Sequence, residues 1–328
     1  MVEGTIFLTG GSGYVGRNII RRLVAEGRKV RALARSGASA EVITALGAEA
    51  WRGDIMDLTS LEVALAGCMS VIHAAGDVGH GVVEAEQHRT NVEGTRNVFA
   101  AARQAGLRRA VHISTESVLL SGAPLIEASE TTQYPKKFAG PYSASKAAAE
   151  QAALALSDDA MPIVVVRPRF IWGRDDSTAL PKLIAAARSG KLAWIGGGRY
   201  RISATHIDNV VEGVMLALEN GRGGQAYFIT DGEPREFRAF ATKLLEAAGI
   251  GAPTKSIPRW LSRIVVALGS GLERLTGGRI ATPLGMQEYA TVGVEVTLDI
   301  SKARNELGYE PIIGLDEGLA TIVLAPSE

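Results

Sequence analysis

The sequence has a single cysteine, Cys68, among its 328 residues. One cysteine excludes an intrachain disulfide and fits a protein kept in a reducing cytoplasm. The 35 basic and 35 acidic residues balance, so the charge does not favour a nucleic acid as the partner. The sequence also lacks an uninterrupted apolar run of about 18 residues, and no secretory signal pattern follows Met1. We therefore expect a cytoplasmic protein without a transmembrane helix.

Apolar residues make up 46% of the chain, enough for a large core, and the length suggests about two domains of roughly 150 residues. Short apolar runs alternate with helical patterns in the first half and predict six strands, at 5–9, 29–35, one ending at 53–54, 71–75, 110–114 and 163–168. Near-continuous apolar strands are typical of a parallel sheet covered on both faces.

We therefore predict an α/β fold, a doubly wound parallel sheet of the Rossmann type with a smaller C-terminal substrate lobe. Residues 1–168 would form the dinucleotide-binding domain, completed by later strands around 203–230. Residues 169–328 would form mainly the substrate lobe.

A glycine-rich loop follows the first predicted strand and opens a helix. Both Gly11-x-Gly13-x-x-Gly16 and Gly10-x-x-Gly13-x-x-Gly16 fit the spacing of dinucleotide-binding loops. Without Cβ atoms the backbone can approach a pyrophosphate, whose charge the helix N-terminus stabilises. The alternative is a glycine-rich turn without a ligand, and the strand-loop-helix context disfavours it.

The end of the second predicted strand indicates which dinucleotide binds. Sites for NAD usually place Asp or Glu about 20 residues beyond the loop, where it binds the ribose 2′-hydroxyl. This chain has no acidic residue between Glu26 and Glu41, and it has Arg35-Ser36 instead. A guanidinium forms charge-assisted hydrogen bonds with a 2′-phosphate, so we favour NADP(H) over NAD(H). The alternative is that Arg35 is a solvated loop residue.

Tyr142 and Lys146 lie four residues apart, which places a phenol and an ammonium one turn apart on the same face of a helix. A nearby positive charge favours the phenolate, so we expect Lys146 to lower the pKa of Tyr142 from its usual value of about 10. A tyrosine tuned in this way can exchange a proton with a substrate. The spacing alone is also common in surface helices with a solvated lysine.

An ordered set of motifs over nearly the whole chain resembles the extended short-chain dehydrogenase/reductase superfamily. Besides the glycine loop and the Tyr142–Lys146 pair, the set consists of Gly53-Asp54-Ile55, His73-Ala74-Ala75-Gly76, Asn91-Val92-Glu93-Gly94-Thr95, Ile113-Ser114-Thr115, Arg167-Pro168, Ile171-Trp172-Gly173 and His206-Ile207-Asp208-Asn209-Val210. Each motif is short, but their order and spacing together are specific.

The resemblance implies a role for each matching residue. Tyr142 would be the general acid in carbonyl reduction and the general base in alcohol oxidation. Lys146 would bind the nicotinamide ribose, and Thr115, or the adjacent Ser114, would bind the substrate oxygen. Asn91 would either order the site or cap its helix. The other cofactor contacts would come from Gly10, Gly11, Ser12, Gly13, Tyr14, Val15, Gly16, Arg35, Ser36, Asp54, Ile55, Ala74, Ala75, Gly76 and Pro168.

Residues 167–173 and 227–234 look most like the 3β-hydroxysteroid dehydrogenase-like branch of the superfamily. That resemblance implies an enzyme that interconverts a secondary alcohol and a ketone on a hydrophobic substrate, steroid-like or a β-keto lipid. Steroid-type members often carry an acidic residue after the second strand. Arg35 departs from that pattern and leaves room for an NADPH-driven ketone reductase.

Two other functions stay open. One is a nucleotide-sugar epimerase or dehydratase, in which Arg167, Arg169, Arg174 and Arg201 would hold a diphosphate. The other is a dinucleotide-sensing regulator without catalysis, although such proteins usually lose the Tyr–Lys pair. By resemblance, the predicted helix at 84–105 and the Tyr142 helix would pair into a four-helix homodimer interface.

Apolar residues recur at helical spacing between residues 259 and 275, with Arg259, Arg263 and Arg274 alongside. They are Trp260, Leu261, Ile264, Val265, Leu268, Leu272 and Leu275. Such a stripe packs on the core, caps an apolar substrate pocket or touches a membrane surface, and core packing is the simplest expectation.

The histidines do not indicate a metal site. They are His73, His80, His88, His112 and His206. Their spacing is unlike that of zinc ligands, so we predict no metal.

Overall fold

The computed structural model describes residues 4–79, 84–275 and 284–322, without the side chains of residues 270–275. The strands in these ranges are β1 (Thr5–Thr9), β2 (Val30–Ala34), β3 (Glu49–Arg52), β4 (Cys68–His73), β5 (Arg109–Ile113), β6 (Leu125–Ala128), β7 (Ile163–Pro168), β8 (Ile171–Trp172), β9 (Trp194–Ile195), β10 (Arg201–Ile202), β11 (Thr205–His206), β12 (Ala226–Ile229), β13 (Arg235–Glu236), β14 (Ser256–Ile257) and β15 (Val296–Leu298).

The helices in the same ranges are α1 (Tyr14–Ala25), α2 (Gly37–Ala45), α3 (Leu58–Leu65), α4 (Glu84–His88), α5 (Gly94–Gln104), α6 (Pro141–Ala155), α7 (Ala179–Arg188), α8 (Ile207–Asn220), α9 (Phe237–Ala247), α10 (Arg259–Leu275), α11 (Met286–Val292), α12 (Ser301–Leu307) and α13 (Leu315–Ala320). A π-helical turn, Arg89–Glu93, joins α4 to α5. The long helix predicted at 84–105 is therefore present, but it contains this turn.

Seven parallel strands form the central sheet, in the spatial order β3-β2-β1-β4-β5-β7-β12. The chain leaves β1 toward β2 and β3, and then returns to the other side of β1 with β4. In open α/β sheets, ligands bind at such a reversal, beyond the carboxyl ends of the strands. The doubly wound α/β fold predicted from the sequence is confirmed.

Both faces of the sheet are covered, which explains why its strands are apolar along their whole length. In β1, the fully buried Ile6 and Leu8 belong to the same hydrophobic cluster as Ile20 of α1. Phe7, between them, belongs to the cluster on the opposite face with Phe99 of α5. Each such side chain contributes about 1.5–3 kcal/mol relative to an exposed one.

The last strand of the sheet, β12, comes from the second half of the chain. It runs parallel to β7, with Ile229 opposite Pro168. The strand lies within the 203–230 stretch that was expected to complete the sheet. A separate four-stranded sheet, in the order β13-β10-β15-β6, takes β6 from the first half of the chain and its other three strands from the second half. The domain boundary at residue 168 stays a prediction.

Helix α10 does not pack its apolar stripe on the core, so the simplest expectation for this segment is wrong over its described side chains. Ser262 and Val266 are buried, whereas the stripe is exposed. The exposed residues are Trp260, Leu261, Ile264, Val265 and Leu268. The side chains of Leu272, Arg274 and Leu275 lie outside the described residues. Among the helices that the structure describes, none is long and apolar enough to cross a membrane.

Candidate active site

The glycine loop between β1 and α1 lies at the reversal point of the sheet. Gly10 has a φ of +73°, and a Cβ there would lie 2.7 Å from the backbone of Ala74 and Ala75. A Cβ on Gly16 would lie 2.1 Å from the carbonyl oxygen of Gly10, so this glycine lets α1 pack against the strand end. Gly13 precedes α1, is exposed, and has no side chain to cap the helix. The bare backbone and the uncapped N–H groups of this first turn fit a pyrophosphate.

The other members of the loop differ in what they offer a ligand. Ser12 and Val15 are partly exposed, whereas Gly11 is buried with its Cα beside Ala32 of β2. Tyr14 is buried, and burial raises the pKa of its phenol well above the usual value. The structure therefore makes Tyr14 a packing residue and leaves ligand contact to the backbone and to its exposed neighbours.

Ala74, Ala75 and Gly76 follow β4 on the other side of the reversal point. The hydroxyl of Thr9 ties this segment to β1, because it accepts the N–H of Ala75 at 3.2 Å and also bonds His73 at 2.6 Å. A Cβ on Gly76 would lie 3.2 Å from Oδ1 of Asn91. The segment is therefore held in place from both sides at the carboxyl edge of the sheet.

Asn91 orders the site and does not cap a helix. It lies inside the π-helical turn, where its Oδ1 accepts the N–H of Asp77 at 2.6 Å. Its Nδ2 donates to the carbonyl of Asp77 at 3.1 Å and to the hydroxyl of Ser145 at 3.0 Å. Asn91 thus fastens the loop after Gly76 to α6, the helix that carries Tyr142. Of the two alternatives left by the sequence, the structure supports the first.

The ends of β2 and β3 form the side of the crevice expected to hold the adenosine. The last residue of β2 is Ala34, and the exposed Arg35 follows it. Ser36 caps α2 by accepting the N–H of Ser39 at 3.1 Å. Asp54 accepts the N–H of Met56 at 3.0 Å.

The side chain of Ile55, which follows Asp54, packs against Gly94. Arg52, which the sequence analysis did not select, is also exposed and pairs in register with Ala34. Neither the side chain of Arg35 nor that of Arg52 makes a hydrogen bond or ion pair with the residues that the structure describes. The ends of two adjacent strands therefore each carry an exposed guanidinium group. The sequence signal for Arg52 was its position directly before the Gly53-Asp54 motif.

Tyr142 lies in the first turn of α6 and is half-buried. Burial raises the pKa of its phenol, the carboxylate of Glu116 raises it further, and a hydrogen bond with Thr115 lowers it. The sequence analysis expected the opposite net direction. Lys146 does not offset burial, because its Nζ donates to the carbonyl of Ile113 at 2.8 Å and burial lowers its own pKa to about 8.

Thr115, rather than Ser114, is the hydroxyl beside Tyr142. Ser114 donates to Glu150 at 2.5 Å and belongs to the buried ion pair of Glu150 with Arg167. Thr115 donates to Oε2 of Glu116 at 2.8 Å. The hydroxyl of Thr115 therefore lies between the phenol of Tyr142 and the carboxylate of Glu116.

Glu116 is a second residue that the sequence analysis missed. It is buried, and its Oε1 accepts from Nη1 of the fully buried Arg169 at 2.8 Å. Arg169 also donates to the carbonyls of Val296 and Thr291. A connected chain of hydrogen bonds therefore runs from Arg169 through Glu116 and Thr115 to Tyr142. The available signal was that Glu116, directly after Thr115, is the sole Asp, Glu, Lys or Arg among residues 110–126.

The arginines that kept a diphosphate-binding function open each bond another group of the protein. Arg167 bonds Glu150 at 3.0 Å, and Arg169 is bound to Glu116. Arg174 bonds Asp208 at 3.1 Å. Arg201 donates to the carbonyl of Pro234 at 3.1 Å. Arg167 and Arg169 are buried in these ion pairs, which disfavours both as diphosphate ligands. Arg174 is partly exposed and Arg201 is exposed, so for these two the expectation stays a prediction.

Pro168 is the buried last residue of β7. Its ring therefore lies at the carboxyl edge of the sheet, where the parallel strands end beside the crevice. No hydrogen bond depends on its nitrogen, because proline has no N–H to donate. This placement is compatible with the nicotinamide-side role that the resemblance implied.

Three of the histidines in the described part of the chain are structural. His73 bonds the hydroxyls of Thr9 and Thr95, and burial lowers its pKa to about 3. His112 stacks on His73, and burial lowers its pKa well below the usual value. His206 caps α8, and burial lowers its pKa to about 4. His80 lies outside the described residues, and the described ones contain no cluster of His, Cys, Asp and Glu that could hold a metal.

The profile of the 3-beta hydroxysteroid dehydrogenase/isomerase family matches residues 7–259. The chain belongs to this family. It is 46% identical to the 4-hydroxy-2-methyl-3-oxo-4-farnesyl-3,4-dihydroquinoline-1-oxide ketoreductase of Stigmatella aurantiaca, over 95% of this chain and 94% of that protein. It is 34% identical to the 2-alkyl-3-oxoalkanoate reductase of Stenotrophomonas maltophilia, over 96% and 97%.

Among solved structures, gox2253 aligns with a TM-score of 0.79 at 28% identity, over 97% of each chain. A UDP-glucuronic acid 4-epimerase from Bacillus cereus, at 21% identity and a TM-score of 0.73, shares the fold over 97% of each chain. The family membership confirms the resemblance to the extended short-chain dehydrogenases/reductases. The chain is an NAD(P)-dependent oxidoreductase of this type.

Proposed function

We propose that this protein reduces a ketone to a secondary alcohol on a hydrophobic substrate, with NADPH as the reductant. The observation that carries the proposal is the phenol of Tyr142, bonded to Thr115 beside the buried Lys146 at the carboxyl edge of the sheet. A reduced nicotinamide dinucleotide, when bound, supplies the hydride. Tyr142 donates its proton to the oxygen of the substrate, and Thr115 holds the phenol in place.

The protonation state of Tyr142 fits the proton donor that the proposed ketone reduction needs. Because burial and Glu116 raise the pKa of its phenol, the tyrosine carries its proton at neutral pH. A protonated tyrosine can act at once as the general acid of ketone reduction. Alcohol oxidation needs the phenolate, which the same surroundings disfavour. The site therefore holds a protonated phenol as the acid of the proposed reduction.

The preference for NADPH rests on the ends of β2 and β3. Ala34 occupies the end of β2, where NAD sites usually carry a carboxylate. Arg35 follows it, and Arg52 ends the neighbouring strand. Both are exposed, so both guanidinium groups are available for charge-assisted bonds to a 2′-phosphate.

The substrate class is taken from the names of the relatives together with the site. The Stigmatella aurantiaca protein is named for a substrate with a farnesyl chain and an oxo group, and the Stenotrophomonas maltophilia protein for a 2-alkyl-3-oxoalkanoate. Both names describe a ketone on a molecule with a long apolar part. We extend that description to the substrate of this chain, with ketosteroids as the second class to test.

One experiment tests the catalytic assignment. Purified protein is incubated with NADPH and a panel of β-keto lipids, ketosteroids and nucleotide-sugars, and the loss of reduced nicotinamide absorbance is followed. We expect turnover with a member of the first two classes, and a loss of at least about a hundredfold in Tyr142→Phe. Tyr227→Phe, far from the crevice and bonded to Glu306, is the matched control. Full turnover in Tyr142→Phe would rule out the assigned proton donor, and turnover of nucleotide-sugars alone would replace the proposed substrate class.

A direct titration tests the cofactor without turnover. We expect NADPH to bind more tightly than NADH, and Arg35→Ala and Arg52→Ala each to weaken NADPH by about tenfold while leaving NADH unchanged. The fragment 2′,5′-ADP should follow the same order. Arg188→Ala, at the exposed end of α7, is the matched control. Tighter binding of NADH to the unmodified protein would refute the preference.

A further inference from the structure

The helix that carries Tyr142 begins without a cap from its own sequence. Gly140 occupies the N-cap position of α6 and has no side chain to offer, and Pro141 after it has no N–H. Ala144 donates its N–H to the carbonyl of Gly140 at 3.1 Å. The N–H of Ser143, in the first turn, therefore needs an acceptor from elsewhere in the protein.

Gln287 of α11, which lies 144 positions further along the chain, supplies this acceptor. Its Oε1 accepts the hydroxyl proton of Ser143 at 2.9 Å and the N–H of the same residue at 3.4 Å. Both residues are buried. A Cβ on Gly140 would lie 3.0 Å from this Oε1, so the glycine at the N-cap leaves room for the glutamine. Gln287 thus does for α6 what an N-cap side chain normally does from within the helix.

The same helix, α11, also reaches the hydroxyl that bonds the phenol. Nη2 of Arg169 donates to the carbonyl of Thr291 in α11 at 2.9 Å, and the hydroxyl of Thr291 donates to the carbonyl of Gln287 at 2.8 Å. Arg169 in turn binds Glu116, to which Thr115 donates. One short helix from the second half of the chain is therefore connected to both sides of the hydrogen bond at the phenol.

We propose that Gln287 is a positioning residue for Tyr142. By capping α6 it fixes the first turn of the helix, and with that turn the place of the phenol relative to Thr115 and to the oxygen of the substrate. Gln287 itself transfers no proton. The inference rests on the proposed role of Tyr142 as the proton donor. A displacement of about 1 Å in a reacting group can cost about a hundredfold in rate, so a lost cap should be visible in kcat.

Gln287→Met tests the proposal, because methionine keeps the length of the side chain and removes the acceptor. The assay uses NADPH and the ketone of the panel that the protein reduces fastest. We expect kcat to fall by about tenfold or more, while the Kd for NADPH stays within about twofold. Gln287→Glu keeps an oxygen at the same place, and a carboxylate is favoured at a helix N-terminus, so this variant should retain most of kcat.

Asp299→Ala is the matched control for a lost helix cap. Oδ1 of Asp299 accepts the N–H of Ser301 at 2.8 Å and the hydroxyl proton of the same residue at 2.6 Å. Ser301 begins α12, which packs on α8 and β12. The control therefore loses the same two kinds of bond at a helix that does not carry Tyr142, and its kcat should stay unchanged.

A double variant separates positioning from a general loss of structure. If Gln287 acts through Tyr142, Gln287→Met should lower kcat in the unmodified protein and have little effect in a Tyr142→Phe background, whereas a structural defect would lower both by the same factor. An unchanged kcat in Gln287→Met, an equal factor in both backgrounds, or an equal loss in Gln287→Glu would overturn the proposal and leave the proton donor assigned. Full turnover in Tyr142→Phe would instead remove the proposed function itself.

Discussion

Replacing Glu116 by glutamine removes the negative charge from the chain of buried hydrogen bonds that links Arg169 to Tyr142. Removing the charge of one partner of a buried ion pair typically costs about 3–5 kcal/mol. Arg169 keeps its bonds to two backbone carbonyls, and the amide oxygen of the new side chain can still accept a proton. We therefore expect the free energy of unfolding to fall by about 3 kcal/mol, the lower end of that range. Urea denaturation measures this loss.

The same substitution should change the pH dependence of turnover. Glu116 raises the pKa of Tyr142, so the amide in its place should let that pKa fall. Ketone reduction requires the phenol, and its decline at high pH should therefore move to lower pH. Alcohol oxidation requires the phenolate, and its rise should move in the same direction. The measurement is kcat against pH in both directions.

Asp231→Asn provides the matched control for Glu116→Gln. The carboxylate of Asp231 accepts hydrogen bonds from Trp172, His206 and Asn209, and none of these residues belongs to the hydrogen-bond chain of Tyr142. It should lose stability without moving either limb of the pH profile. An unchanged profile in Glu116→Gln, with stability reduced, would refute the link between Glu116 and the phenol.

Two further predictions use the buried bases. Lys146→Met should abolish turnover but raise the free energy of unfolding at neutral pH by roughly 1–2 kcal/mol. The reason is that burial opposes the charged form of Lys146 and lowers its pKa to about 8. A lower stability in urea denaturation would contradict this prediction. His73, His112 and His206 all have pKa values below 6.5 in the folded protein. As the pH falls, these histidines bind protons in the unfolded chain before they do so in the folded protein. The free energy of unfolding should therefore be highest above pH 6.5 and fall below that pH by about 1.4 kcal/mol per pH unit for each histidine. Urea denaturation at a series of pH values measures this fall.

The fold and the main motifs of the site could be predicted because each of their sequence signals is local. The glycine loop, the Tyr142–Lys146 spacing and the apolar strands each occupy a few consecutive residues. Parallel strands then bring their ends to one edge, so residues 9–16, 74–76 and 142–146 had to meet there. Local patterns of this kind carry over into the structure with little change.

The polar network could not be predicted because its partners are distant in the sequence. Glu116 and Arg169 lie 53 positions apart and pair through the strand ends that hold them. The pKa of Tyr142 was expected in the wrong direction for a related reason. The helical spacing shows that Lys146 is near, but it shows neither the burial of the phenol nor the carboxylate beside it. The same limit applies to α10, whose periodicity indicates a stripe but not the side on which the core lies.

The pairing of β12 with β7 has a consequence for how the chain is made. On the ribosome, β7 emerges about sixty residues before β12, as the positions of the two strands require. Until then Val164, Val165 and Val166 form an unpaired apolar edge, the kind of surface that adds strands from other chains. A fragment that stops after residue 168 would keep this edge permanently. We expect it to aggregate, so the cofactor-binding half cannot be excised as an independent unit at that boundary.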